Sequence, residues 1–113
     1  MIKLNEWRIG NWVDDRWTDK KRRLSLQDFA REYQDEDFFN QIRPVYLTAE
    51  VLENCGFKIE QGDYKLPNFY PNCYFEGGKL VISFGEYTTS LKYLHQLQNI
   101  YFDHTSEELN VQL

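Results

Sequence analysis

The sequence predicts an α+β fold, a single domain over residues 1–113 built as a small antiparallel sheet with about three helices packed on one side. Three observations lead there. Two segments, Thr48–Gly56 and Lys92–Phe102, combine helical apolar spacing with helix-end signals. Alternating stretches flank Glu76-Gly77-Gly78, and paired glycines supply the positive φ that a tight hairpin needs. Eight Tyr, eight Phe and three Trp in 113 residues provide enough large side chains for a core without staples.

Taken in order, Trp7–Val13 reads as a short strand bent at Gly10-Asn11, with Trp7, Ile9 and Val13 on one face. The charged stretch Asp14 to Arg23, ending in Lys20-Lys21-Arg22-Arg23, reads as an exposed connection. Ser25 then stands as an N-cap with Asp28 in a capping-box position, and Leu24 can staple onto Phe29. Leu26, Phe29, Ala30 and Tyr33 follow at helical spacing. Beyond Asp35-Glu36-Asp37 the apolar face resumes at Phe38, Phe39 and Ile42, and Pro44 sets a boundary at Arg43.

Thr48 is the cap of the next helix, Glu50 suits its positive end, and Val51, Leu52 and Cys55 form its apolar side. Gly56 closes it in the left-handed conformation. Phe57–Glu60 alternates as a strand, whereas Gly62-Asp63 and Pro67–Asn72 are turn and loop material. Cys73–Phe75 and Lys79–Phe84 form the hairpin, with Leu80, Ile82 and Phe84 on one pleat face and Gly85 ending the strand. Ser90 is placed to cap the last helix, whose buried stripe runs Leu91, Leu94, Leu97 or Gln98, and Tyr101. Thr105–Glu108 opens a brief turn, and Asn110–Leu113 reads as a final short strand.

The formal charge of -5 and pI near 5.0 disfavour nucleic acid as the main partner and favour a basic protein surface. Cys55 and Cys73 stand 18 residues apart without further ligands, which predicts partly buried thiols in a reducing cytosol rather than zinc. No secretory h-region opens the chain and its apolar runs are short, so a cytoplasmic protein away from the membrane is expected.

Candidate chemistry is sparse. His95 and His104 have no sequence-linked nucleophile, and the acid runs Asp14-Asp15, Asp35-Glu36-Asp37 and Glu107-Glu108 read as solvated faces. Gly77-Gly78 lacks the Gly-Lys-Ser/Thr ending of a phosphate loop. No catalytic residue, cofactor or metal is expected. Two groups read as partner-binding. Trp12, Trp17 and the run Lys20, Lys21, Arg22, Arg23 join stacking rings to phosphate-neutralising charge. Phe69, Tyr70 and Tyr74, held near Pro67 and Pro71, are loop aromatics of the kind enriched at interface hot spots.

Three blocks carry a family resemblance: Leu4–Val13 with Arg8-Ile9-Gly10-Asn11-Trp12-Val13 at its centre, Tyr46–Phe57 with its Leu-Thr opening and Cys-Gly-Phe closing, and Tyr93–Leu109 with Tyr93-Leu94-His95-Gln96-Leu97-Gln98-Asn99-Ile100-Tyr101-Phe102. Together, about a third of the chain, they resemble a family of small accessory proteins that recur in Bacteroidota genomes, their phages and integrated elements. The family carries no agreed enzymatic activity. Residues 14–43 depart from its pattern and read as a variable, insert-like segment. The resemblance implies a mobile-element protein, and with the acidic balance and surplus aromatics it points to a non-enzymatic inhibitor. Its target would be a bacterial effector, for example a CRISPR nuclease or another defence enzyme. The alternative is a nucleic-acid-binding accessory protein using Trp12, Trp17 and the basic run.

Overall fold

The computed structural model describes residues 7–16, 18–32, 42–67 and 69–113. The helical continuation expected over Tyr33, Phe38 and Phe39 lies outside them, as does Trp17. The chain divides into two compact units, one ending at Val45 and the other beginning at Tyr46. The expected single sheet is two, of three and five antiparallel strands, so the fold is mixed α and β but mostly sheet.

In the first unit Arg8–Asn11 is a tight turn, in which Asn11 N–H donates to Arg8 O at 3.0 Å and Gly10 takes φ 95°. The buried Asn11 side chain folds back so that its Oδ1 accepts from Arg8 N–H at 2.6 Å. The strand expected from Trp7 therefore starts only at β1 (Trp12–Asp15), and Ile9 lies exposed on the turn rather than beside Trp7 and Val13.

The stretch expected as an exposed connection is a hairpin. β2 (Lys20–Arg23) pairs with β1, and β3 (Ile42–Pro44) flanks β1 on its other side. The register sets Asp14 opposite Lys21 and Asp15 opposite Lys20, so opposite charges face one another across the ladder and stabilise it. A strand of four cations also blunts the sheet edge it occupies. Ile42, expected on a helix, lies in β3, since Pro44 biases the residue before it towards extended backbone.

Helix α1 (Leu26–Glu32) starts as anticipated. The Asp28 carboxylate accepts from Ser25 N–H at 2.6 Å and from Ser25 Oγ at 3.0 Å. Trp7, Val13, Leu24 and Ile42 form the core of the unit, with Phe29 packed against them. Leu26, expected on that apolar face, is exposed.

In the second unit α2 (Ala49–Asn54) is capped by Thr48, whose Oγ1 accepts from Val51 N–H at 3.1 Å, and Gly56 at φ 91° ends the helical path. Five strands then run as an antiparallel meander in sequence order: β4 (Lys58–Glu60), β5 (Asp63–Leu66), β6 (Phe69–Glu76), β7 (Lys79–Phe84) and β8 (Tyr87–Leu91). Gly77 and Gly78, at φ 61° and 80°, make the expected hairpin turn.

Helix α3 (Leu94–Thr105) packs against β6 and β8 and buries Leu94, Leu97, Gln98 and Tyr101, the anticipated stripe, together with His95. Ser90 and Leu91 belong to β8 rather than to this helix. Its start is held instead by the Gln96 side chain, whose Oε1 accepts from Lys92 and Tyr93 N–H. Asn110–Leu113 adds no strand. It ties back through Gln112 N–H to Asn54 O at 2.9 Å while Leu109 and Val111 are buried.

Candidate functional site

The two groups singled out in the sequence fare differently. In the basic run, the alternation of β2 splits the side chains between the two faces of the sheet. Arg22 points at the carboxylates: its Nε donates to Asp15 at 2.8 Å, and Nη1 and Nη2 donate to the two oxygens of Asp28 at 2.8 and 2.9 Å. Both acids are buried. Burial pushes the Asp28 carboxyl up, yet hydrogen bonds from Arg22 and Ser25 hold it below the usual carboxylate range. Hydrogen bonding to Asp28 in turn raises the Arg22 guanidinium despite its desolvation. Arg23 lies 5.5 Å above the half-buried Trp12 ring on the other face. Lys20 and Lys21 stand exposed at the edge.

The aromatic group sits where β6 and β7 part. Their ladder runs from Glu76 opposite Lys79 to Asn72 opposite Ser83 and stops there. On the other flank, Tyr64 faces Cys73 but Leu66 faces Phe69, so β6 carries extra residues through a bulge. Pro71, which has no N–H to donate, occupies this irregular stretch, one of the few places a central strand tolerates proline. The segment expected as a loop over Pro67–Asn72 is therefore strand from Phe69 onward, irregular at its start.

The bulge sends neighbouring rings in opposite directions. Tyr70 is 90% exposed, the most exposed large apolar residue among those described. Phe69 is 4% exposed and belongs to the core, edge-on to Phe57 at 6.4 Å and tilted against Tyr101 at 5.4 Å. As a surface contact Phe69 is thus a correction, because its strand neighbour takes the outward position. Tyr74 is half-buried opposite Val81.

An open groove of about 520 Å³ fills the gap between the parted strands. One wall is Phe69–Asn72, the other Ser83–Gly85, and the C-terminal turn of α3 closes it with His104, Thr105 and Glu107. His104 lies flat on Phe84, with centroids 4.4 Å apart and planes 5° from parallel, and edge-on to Phe69 at 6.2 Å. Thr105 Oγ1 donates to Tyr101 O at 2.8 Å and accepts from Glu107 N–H at 3.2 Å, fixing the end of the helix beside the groove. Tyr87, 79% exposed, stands opposite Phe84 at the same end of the sheet.

His104, Phe84, Ser83 and Glu107 went unnoticed in the sequence as a set. A proline inside an alternating run, Phe69-Tyr70-Pro71-Asn72-Cys73, was the available signal of a bulge.

Three of the groups able to perform covalent chemistry, Cys55, Cys73 and His95, are buried. Burial pushes the Cys55 thiol up to about 12 and the Cys73 thiol up to about 11. His95 is fully buried, its ring stacked 5.8 Å from Tyr93, and desolvation pulls it down to about 4, so it is neutral at pH 7. His104 is exposed, shares the groove with Ser83 and Glu107, and stacks on Phe84. No cluster of three His, Cys, Asp or Glu suited to a metal occurs among the described residues, and no described helix is long and apolar enough to cross a membrane.

No protein-family model, curated protein or solved structure matches the chain.

Proposed function

We propose that the protein is a non-enzymatic binding module that engages a protein partner through the splayed end of its five-stranded sheet. The observation that carries this reading is Tyr70, 90% exposed on a proline-stiffened bulge beside a 520 Å³ groove. A ring held out by fixed backbone loses little entropy when a partner covers it, and tyrosine is enriched among interface hot spots. Tyr87 adds a second exposed ring at the same end.

The finer part of the proposal is inhibition of a bacterial effector such as a nucleic-acid-handling defence enzyme. It rests on the resemblance to mobile-element proteins and on charge distribution. Residues 46–113 hold four lysines and nine carboxylates, whereas residues 1–45 hold nine charges of each sign. The negative balance thus resides wholly in the half that carries the groove, and it suits a basic partner surface.

The competing nucleic-acid reading draws less support. Within the basic run Arg22 is committed to Asp15 and Asp28, which leaves Lys20, Lys21 and the exposed Arg23, stacked on Trp12, to neutralise phosphates. Three contacts give only a modest salt dependence, a slope of about -2.1 on single strands.

Capture from host lysate at low salt tests the choice. Wild type and a Lys20→Ala/Lys21→Ala variant are expected to retain a stoichiometric protein, and Tyr70→Ala to lose it. Steeply salt-dependent RNA or DNA binding that vanishes in the lysine variant, with no protein retained, would defeat the reading.

A further inference from the structure

We infer that the groove takes an arginine side chain from a basic peptide segment of the partner, an inference that rests on the protein-binding reading above. Flat aromatic surface and carboxylate are the two features a guanidinium uses at once, stacking on one and forking hydrogen bonds to the other. Both occur here. The Phe84–His104 pair lies parallel within 5°, and Tyr70 presents its ring to solvent.

Glu107 lines the same groove, and Glu86 lies in the turn that follows Gly85. Thr105 Oγ1 donates to Tyr101 O and accepts from Glu107 N–H, which fixes the backbone of Glu107, the acidic residue of the lining, beside the groove. On the opposite rim, Lys65 Nζ donates to Asn72 Oδ1 at 2.8 Å. The Lys65 ammonium opposes an incoming cation on that side, and the Glu107 carboxylate and the rings must outweigh it. The volume falls within the range of about 300–1,000 Å³ typical of small-ligand sites, room for a long side chain and its flanking backbone. A lysine would satisfy the carboxylate but, as a compact hydrated ammonium, would gain less from the flat rings.

The test titrates blocked glycine–arginine pentapeptides into the full chain and follows amide resonances by NMR. Peptides with lysine or with citrulline, the neutral isostere, in place of arginine run in parallel. The expected result is weak saturable binding of the arginine peptide, with shifts at Gly85, His104 and Thr105. Lysine should bind more weakly and citrulline not at all, and Glu107→Gln should weaken arginine binding by about fivefold.

Equal binding of the citrulline peptide, shifts confined to Lys20–Arg23, or no binding would overturn the inference. So would an oligonucleotide that competes for the groove resonances. If any of these occurs while Tyr70→Ala still abolishes partner capture, only the arginine assignment falls. If Tyr70→Ala retains the partner, the protein-binding reading falls with it.

Discussion

Replacing Arg22 with alanine tests how the basic run is used. The substitution removes three charge-assisted hydrogen bonds, at 2.8 Å to Asp15 and at 2.8 and 2.9 Å to Asp28, and leaves two buried carboxylates on one face. Breaking a buried ion pair costs about 3–5 kcal/mol. The Arg22 side chain is 31% exposed, so water recovers part of the loss. After that discount the expected destabilisation is about 2–3 kcal/mol.

All three tryptophans lie between residues 7 and 17, so urea unfolding followed by tryptophan fluorescence reports on the first unit. Its midpoint should fall by roughly 1–2 M. Arg22→Lys should recover only part, because an ammonium cannot fork across both Asp28 oxygens. The pH dependence has a definite sign. The Asp28 carboxyl is lowered in the folded state, so its contribution is present above the unfolded value of about 3.9 and is lost as pH falls through the folded one. Arg22→Ala should flatten that acid limb. A midpoint within about 0.3 M of wild type would refute the argument and return Arg22 to the pool of available surface cations.

Three further outcomes follow from burial and backbone geometry. His95, held near 4 when folded against about 6.5 when unfolded, makes the unfolded chain take up the proton first. Stability should therefore fall between about pH 6.5 and 4, by roughly 3 kcal/mol in all. Its imidazole NMR resonance should stay in the neutral position above pH 5, and titration near 6.5 would contradict the burial. Cys55 and Cys73 should resist dipyridyl disulfide at pH 8 in the native protein and react in urea, whereas fast native labelling would contradict their raised thiols. Gly78→Ala meets no atom within 4 Å, so its cost is backbone strain alone, about 1–2 kcal/mol at φ 80°. An unchanged Tm would remove the reason for the paired glycines.

Local signals were legible in the sequence where one residue type answers one backbone need. Thr48 and Gly56 delimited α2, Ser25 and Asp28 opened α1, and Gly77-Gly78 marked the hairpin. What was hidden depended on pairing at a distance. The run Lys20–Arg23 has no apolar residue to alternate, and it forms a strand because Asp14 and Asp15 stand across from it. Tyr87–Leu91 is nearly polar throughout, and only its end, Ser90 and Leu91, carries a signal, which reads as the start of the following helix because Ser90 also suits a cap.

The site was half visible. Tyr70 stands out in the sequence for lying beside proline, and on the bulge it is 90% exposed. Phe69 was grouped with it because adjacency in sequence does not say which of two neighbours turns inward. His104 read only as a helix-end residue, and its stack on Phe84 depends on where α3 meets the end of β7.

The most direct measurement of the central claim is amide hydrogen exchange on the protein bound to its captured partner. The account predicts new protection over Phe69–Asn72, Ser83–Tyr87 and the α3 end from Asp103 to Glu107, with Lys20–Arg23 unchanged. Protection confined to the Trp12–Arg23 hairpin, with the groove segments exchanging as in the isolated protein, would contradict it.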